Sequence, residues 1–115
     1  MRYINIAYDY EYDNNDVLLD MGTVDIVLVP DFVCDRLDEI VQKFFDWCDE
    51  EVRLAEKSRY PEFWVQDKAG DWCMSVGTEH FIRWLNERYF DCEQQKSELI
   101  KKDTEYEPKY PTALF

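Results

Sequence analysis

The sequence contains few of the residues on which catalytic and cofactor sites depend. It has one histidine, His80, and only three glycines, at positions 22, 70 and 77. A phosphate-binding loop needs closely spaced glycines, and a nucleophile needs a base within reach. Cys73 lies seven residues before His80, and nothing in that spacing brings the two side chains together. We therefore expect a protein that is not an enzyme and that binds no cofactor.

Paired metal ligands are also lacking. The four cysteines, at positions 34, 48, 73 and 92, form no C-x-x-C pair, whereas zinc sites usually show ligands at short spacing. Cys34 and Cys48 are fourteen residues apart, which is about four helical turns, so they share one helix face. The pattern favours buried free thiols and no metal site. A disulfide framework or a metal site is the alternative.

Long apolar runs are missing as well. No stretch of 18 apolar residues is present, so we expect no membrane span. The opening residues, MRYINIAYDY, lack the apolar segment of a signal peptide. These features predict a cytoplasmic protein.

Acidic residues, by contrast, are abundant and unevenly distributed. The 115 residues carry 26 acidic and 13 basic side chains, a net charge of −13. Residues 1–52 hold 14 acids and 3 bases, a balance of −11, and residues 53–115 hold 12 and 10, a balance of −2. Apolar types make up 46% of the chain, enough to fill the core of one domain. The asymmetry indicates a possible interaction surface in the first half.

The first segment predicts a half-buried strand, because residues of two kinds alternate with period two. The face toward the core would carry Ile4, Ile6, Tyr8, Tyr10 and Tyr12. The outer face would carry Asn5, Ala7, Asp9, Glu11 and Asp13, and Asp16 would follow in a turn. A second strand is predicted from Thr23 to Val29, where β-branched residues are dense.

The period then changes to 3.6 and predicts a helix over residues 31–57. Its polar side would carry Asp35, Asp38, Glu39, Asp46, Asp49 and Glu50. A β-hairpin is expected around DKAGDW. A second helix is expected from Thr78 as its N-cap, continuing or restarting through residues 92–102, where Glu98 and Lys102 would form an i,i+4 pair.

Together these elements predict an α+β fold with the order β-β-α-β-β-α. The sheet would have about four mostly antiparallel strands, with helices packed on one face. Residues 1–103 would form a single domain, and residues 104–115, which contain Pro108 and Pro111, an extended C-terminal tail.

The acidic rows predict a partner with a basic surface. Direct binding to nucleic acid is disfavoured, since the aromatic strand has acids where phosphates would require bases. Acids at i and i+2 of a strand are about 6.6 Å apart, and those at i and i+4 of a helix about 6 Å, the scale of successive phosphates. The candidate partner-binding residues are Asp9, Glu11, Asp13, Asp16, Asp35, Asp38, Glu39, Asp46, Asp49 and Glu50. The alternative is a solvated acidic face that keeps the protein soluble.

In its size, acidity, aromatic density and lack of catalytic residues, the chain resembles phage-encoded inhibitors of bacterial defence, including anti-CRISPR and anti-restriction proteins. The resemblance implies an inhibitor of a basic nucleic-acid-processing protein such as a CRISPR effector nuclease. It assigns no individual site residues. Small acidic immunity proteins that neutralise nuclease toxins look similar and are the alternative, and a non-catalytic structural subunit is the second alternative.

Overall fold

The computed structural model describes residues 1–8, 10–15, 17–90 and 96–115, and the elements below are those of these residues. The strands are β1 (Arg2–Ala7), β2 (Glu11–Tyr12), β3 (Leu18–Asp20), β4 (Thr23–Val29), β5 (Trp64–Gln66), β6 (Trp72–Met74), β7 (Glu98–Glu105) and β8 (Thr112–Leu114). The α-helices are α1 (Asp31–Asp35), α2 (Leu37–Trp47) and α3 (Thr78–Trp84). Cys48–Val52 and Leu85–Tyr89 are π-helical turns, and Lys57–Arg59 and Pro61–Phe63 are 3₁₀ turns.

The central sheet has four strands in the order β7-β4-β1-β8. β4 is antiparallel to both β1 and β7, and β8 is parallel to β1. The predicted α+β class, with a mostly antiparallel four-stranded sheet and helices packed against it, is confirmed. The order of elements differs from the expectation, because β7 and β8 follow α3 and because β2–β3 and β5–β6 form separate two-stranded sheets.

The helix predicted over residues 31–57 is divided. Arg36, with φ −122°, separates α1 from α2. After Trp47 the helix widens, and the N–H of Arg53 donates to the carbonyl of Cys48, an i→i+5 bond. Phe44, Cys48 and Val52 are all buried. A regular α-helix would rotate residues at successive i+4 positions off one face, and the wider turn keeps these three directed inward.

The main core lies between one sheet face and the helices. Phe44 contacts the rings of Phe81, Trp84 and Phe115 at centroid distances of 5.3, 5.5 and 6.0 Å. A smaller cluster covers the other sheet face, where Ala7, Val24 and Ile26 are packed by Tyr10, Met21, Tyr106 and Tyr110. Both faces of β1 are therefore covered, so Asn5 and Ala7 are buried together with Ile4 and Ile6, and the prediction that they lie on an outer face is wrong.

The prediction that Tyr8, Tyr10 and Tyr12 all face the core is wrong. β1 ends at Ala7, the last residue that pairs with β4. Tyr8 and Tyr12 are 42% and 47% exposed, and only Tyr10 is partly buried, against the smaller cluster. The period-two alternation continues in the sequence beyond Ala7, but pairing with β4 does not, so β1 ends at Ala7.

The second half of the chain contains one confirmed element and one wrong prediction. The expected hairpin is present, with Val65 paired to Cys73 and Gly70 at φ +86° in its loop. The helix expected to continue through residues 92–102 is wrong over residues 98–102, which lie in β7, while residues 92–95 lie outside the described residues. Backbone pairing with β4 overrides the helical propensity of this segment.

Residues 104–115, predicted to form an extended tail, contribute to the sheet through the end of β7 and through β8. Ala113 is buried, and the ring of Phe115 packs on Phe44 and Phe45. This segment therefore completes the main core.

Candidate functional site

α2 and the π turn after it hold five of the predicted acidic residues on their exposed side. These are Asp38, Glu39, Asp46, Asp49 and Glu50. The opposite side buries Leu37, Ile40, Val41 and Phe44 against the sheet and α3. The 3.6-residue period that buries one side sets the other side toward solvent, so the helix positions the acids through its own packing.

Ionic partners distinguish these acids from one another. Asp49 pairs with Arg53 at 3.2 Å, and Asp46 accepts a hydrogen bond from the amide of Gln42 at 3.0 Å. Within residues 1–8, 10–15, 17–90 and 96–115, no basic group forms an ion pair with Asp38, Glu39, Asp46 or Glu50. We call these four residues the acidic surface.

Basic residues do little to neutralise this helix. Residues 31–53 carry eight acidic and three basic side chains, a net charge of −5. Lys43 is the only basic residue between Leu37 and Glu51, and its ammonium lies 5.8 Å from the ring centroid of Tyr89 in a cation–π contact. Lys43 is thus engaged by an aromatic ring, and the acidic surface keeps its negative field.

Asp35 differs from the acids on α2. It lies on α1, and its carboxylate accepts a hydrogen bond from the guanidinium of Arg2, which raises the pKa of Arg2. Arg2 also forms an ion pair with Asp31 at 3.6 Å. Asp35 is therefore exposed but already paired, and it is the weaker candidate for binding a basic partner.

The predicted acids of the N-terminal segment lie on a separate element. Glu11 is exposed in β2. One carboxylate oxygen of Asp13 accepts the N–H groups of Asn15 and Val17 at 2.8 and 2.9 Å, so Asp13 holds the turn between β2 and β3. Asp9 and Asp16 lie outside the described residues. The structure therefore groups the α2 acids and does not place Glu11 or Asp13 on the same element.

The single histidine serves the fold. Its Nδ1 accepts the backbone N–H of Gly77 at 2.9 Å, and its Nε2 lies 2.7 Å from the carbonyl oxygen of Glu62. Since Nδ1 accepts, the proton is on Nε2, which donates to Glu62. Gly77, and not Thr78 as predicted, is the N-cap of α3. His80 caps the helix start and connects it to the preceding 3₁₀ turn.

The cysteines have different environments. Cys34 and Cys48 are free and buried, as their shared helix face predicts, and burial raises the pKa of Cys48 to about 12. Cys73 is exposed on the hairpin, so the prediction of burial is wrong for this residue. Cys92 lies outside the described residues. In the part of the chain that is described, no three His, Cys, Asp or Glu side chains cluster in a way that could hold a metal ion.

Among the described residues, Asp25 is the one charged side chain that the fold buries, and sequence reasoning missed it. Asp25 interrupts the apolar run of β4 and is 4% exposed on the helix-facing side of the sheet, where it is paired with Ile6. A carboxylate in the middle of a β-branched run is the signal that could have identified it.

Comparisons with protein-family models, curated proteins and solved structures found no match to this chain. Among the described residues, none of the helices has both the length and the apolar character needed to cross a membrane.

Proposed function

We propose that the protein is an acidic inhibitor that acts in the cytoplasm by occupying the basic cleft of a nucleic-acid-processing protein. The partner class that fits this best is a CRISPR effector nuclease, whose positively charged channel holds a nucleic-acid duplex by its backbone. The observation that carries the proposal is the acidic surface of Asp38, Glu39, Asp46 and Glu50. These four exposed carboxylates lie on α2 and the π-helical turn that continues it, and they form no ion pair among the described residues.

Helical spacing supports this reading. Asp46 and Glu50 are four residues apart, about 6 Å along the helix axis, and Asp38 lies two such steps, about 12 Å, before Asp46. That spacing is on the scale of successive phosphates along a strand. A basic cleft built to hold phosphates would meet charges at a similar repeat.

The rigidity of the helix that carries the acidic surface also supports the proposed function. The helix that carries the acids is fixed by a row of buried residues, among them Ile40, Phe44 and Val52. A preorganised surface loses little conformational freedom on binding, so more of the interaction energy appears as affinity. Opposite charges also steer the encounter, which raises the association rate at low salt.

The test measures cleavage of labelled target DNA by guide-loaded CRISPR effector nucleases from a panel, together with the rate at which each nuclease binds the protein. The variant Asp38→Lys/Asp46→Lys/Glu50→Lys should remain folded, because exposed charges contribute little to stability. It should bind about tenfold more slowly at 50 mM salt. The deficit should be much smaller at 300 mM, where the fields are screened.

The matched control is Asp71→Lys/Glu98→Lys/Glu105→Lys, which changes the net charge equally at exposed positions away from α2. It should bind at close to the wild-type rate. Equal slowing by both triple variants would mean that only net charge matters and would contradict a role for the acidic surface. Failure of the wild-type protein to bind or inhibit any nuclease in the panel would overturn the proposed function.

A further inference from the structure

A cavity of about 370 Å³ lies between the end of the central sheet and the start of α3. Its walls include Tyr8, Asp25, Thr78, Glu79, Lys102 and Asp103. Asp25 belongs to β4 and lies on the helix-facing side of the sheet, and Thr78 is the first residue of α3. None of these residues belongs to the acidic surface.

The floor of the cavity holds a buried carboxylate that is only half satisfied. Asp25 is 4% exposed, and its Oδ1 accepts the backbone N–H of Asp103 at 3.0 Å and the hydroxyl of Tyr8 at 3.3 Å. No hydrogen bond among the described residues reaches its second oxygen, Oδ2. Oδ2 keeps access to the cavity, so it can accept a donor from a bound group.

The neighbouring strand β7 pairs irregularly with β4 opposite Asp25. Val24 pairs with Thr104 and Ile26 with Lys101, so two residues of β7, Lys102 and Asp103, stand opposite Asp25 in a β-bulge. Asp103 has φ +51°, in the left-handed region that few residues other than glycine adopt. Bulges of this kind re-aim side chains and are frequent beside functional sites.

The protons available in the cluster are too few for its carboxylates. The hydroxyl of Tyr8 contacts the carboxylates of both Asp25 and Asp103, yet it has a single proton to donate. Lys102, at the rim, forms an ion pair with Glu79 at 3.8 Å. The cavity therefore retains uncompensated negative charge and favours a cationic group.

A second buried group in the same wall also lacks a partner. Thr78 is 6% exposed, and its hydroxyl forms no hydrogen bond with any described residue. A hydroxyl can accept a donor hydrogen atom as well as donate one. Among the residues that line the cavity, Asp25 Oδ2 and Thr78 Oγ1 are thus two oxygen acceptors that no described residue supplies with a donor.

We propose that this cavity binds the guanidinium group of an arginine side chain supplied by a protein partner. A guanidinium presents several N–H donors in a fixed plane and is weakly hydrated, so it can reach two acceptors and enter a buried site at lower cost than an ammonium. The volume accommodates a long side chain, and Val76 supplies apolar wall for its stem. The identity of the donor as a basic protein rests on the proposed function, whereas the guanidinium site does not.

The experiment uses the full chain and the capped peptide acetyl-Gly-Arg-Gly-amide as a probe, with the citrulline peptide as its neutral isostere. Binding is followed by the amide NMR shifts of Thr78 and Asp103. The arginine peptide should shift both signals in a saturable manner, and the citrulline peptide should bind at least tenfold more weakly. Equal binding of the two peptides, or shifts that omit both residues, would overturn the proposal.

Two variants locate the site. Asp25→Asn retains an acceptor for Asp103 and should weaken binding of the arginine peptide at least tenfold, while Asp71→Asn, with the same charge change at an exposed position, should have no effect. Thr78→Val should weaken binding about threefold without lowering stability, because it removes a hydroxyl that has no partner. If Asp25→Asn does not fold, the affinity of Thr78→Val for the arginine peptide decides whether the site is correctly located. Unchanged affinity in Thr78→Val, or equal weakening by Asp71→Asn, would contradict the site.

Free arginine separates a partner side chain from a small-molecule ligand. The capped peptide should bind more tightly than the free amino acid, since a free carboxylate would meet Asp103 and Glu79 at the mouth. Tighter binding of free arginine would overturn the assignment to a protein partner. Loss of peptide binding with an intact salt-dependent association through α2 would reject this site and leave the proposed function standing. Intact binding of the arginine peptide without salt-dependent association through α2 would reject the proposed function and leave the guanidinium site standing.

Discussion

Single side chains determine how charge is distributed at the end of the sheet. The hydrogen bond between the phenol of Tyr8 and the carboxylate of Asp103 is the largest cause of a rise in the pKa of Tyr8 to about 12, with burial and the charge of Asp25 contributing further. The proton on this phenol is therefore held more tightly in the folded chain than in the unfolded one, where tyrosine titrates near pH 10.

Stability should therefore fall at alkaline pH through this residue. Its contribution is fully present below pH 10 and is lost as the pH rises from about 10 to about 12, because the unfolded state releases the proton first. The free energy of unfolding in urea, measured from pH 9 to 12, should decline less in Tyr8→Phe than in the wild type. The wild-type absorbance titration at 295 nm should also show a component near pH 12 that Tyr8→Phe removes. Coincident titration of every tyrosine near pH 10 would contradict this.

At the scale of elements, Asn5 connects the segment between β7 and β8 to the centre of the sheet. The nitrogen of its side-chain amide lies 2.8 and 3.2 Å from the carbonyl oxygens of Glu107 and Tyr110 and 3.3 Å from the hydroxyl of Thr112, and its two hydrogens are shared among these three acceptors. Its Oδ1 accepts the backbone N–H of Glu107 at 3.3 Å. One buried side chain thus supplies hydrogen-bond partners to the backbone of a connection that has little regular structure of its own.

Asn5→Ala should destabilise the protein by about 2 kcal/mol or more, because each buried polar group left without a partner costs about 1–3 kcal/mol. The measurement is urea unfolding followed by circular dichroism. Asn14→Ala, at an exposed turn position, is the control and should change stability by less than about 0.5 kcal/mol. If the two variants unfold at the same urea concentration, the connection does not depend on Asn5.

The elements that the sequence predicts correctly are those decided by nearby residues. β4, the β5–β6 hairpin and the exposed acidic side of α2 follow from local period and turn chemistry. β7 could not be predicted in this way, because its conformation depends on pairing with β4, and Asp25 bonds to Asp103 across 78 positions. The pairing of Asp35 with Arg2 spans 33 positions and is invisible to a local pattern for the same reason.

For the molecule as a whole, shape and charge act together. The radius of gyration is 15.1 Å, above the roughly 13 Å typical of a compact chain of this length, and the dimensions are 43 × 40 × 23 Å. A flattened molecule spreads its net charge of −13 over broad faces. Repulsion among those charges still opposes folding.

Added salt should therefore stabilise the protein. At pH 7 the melting temperature should rise between 10 and 300 mM NaCl, because screening weakens the repulsion more than it weakens the exposed ion pairs. Asp38→Lys/Asp46→Lys/Glu50→Lys changes the net charge by +6, from −13 to −7, and should show a smaller rise. A melting temperature that falls with NaCl in the wild type would mean that the ion pairs outweigh the repulsion.

The parallel pairing of β8 with β1 has a consequence for how fast the chain folds. Asn5 and Thr112 meet across 107 positions, and closing a loop of that length costs about 4 kcal/mol of entropy before any contact compensates it. β1 and β4, close in sequence, can pair early, whereas β8 must wait for the chain to bring its distant segments together. Folding should accordingly take milliseconds to seconds, and β1 should remain an open, aggregation-prone edge until β8 arrives.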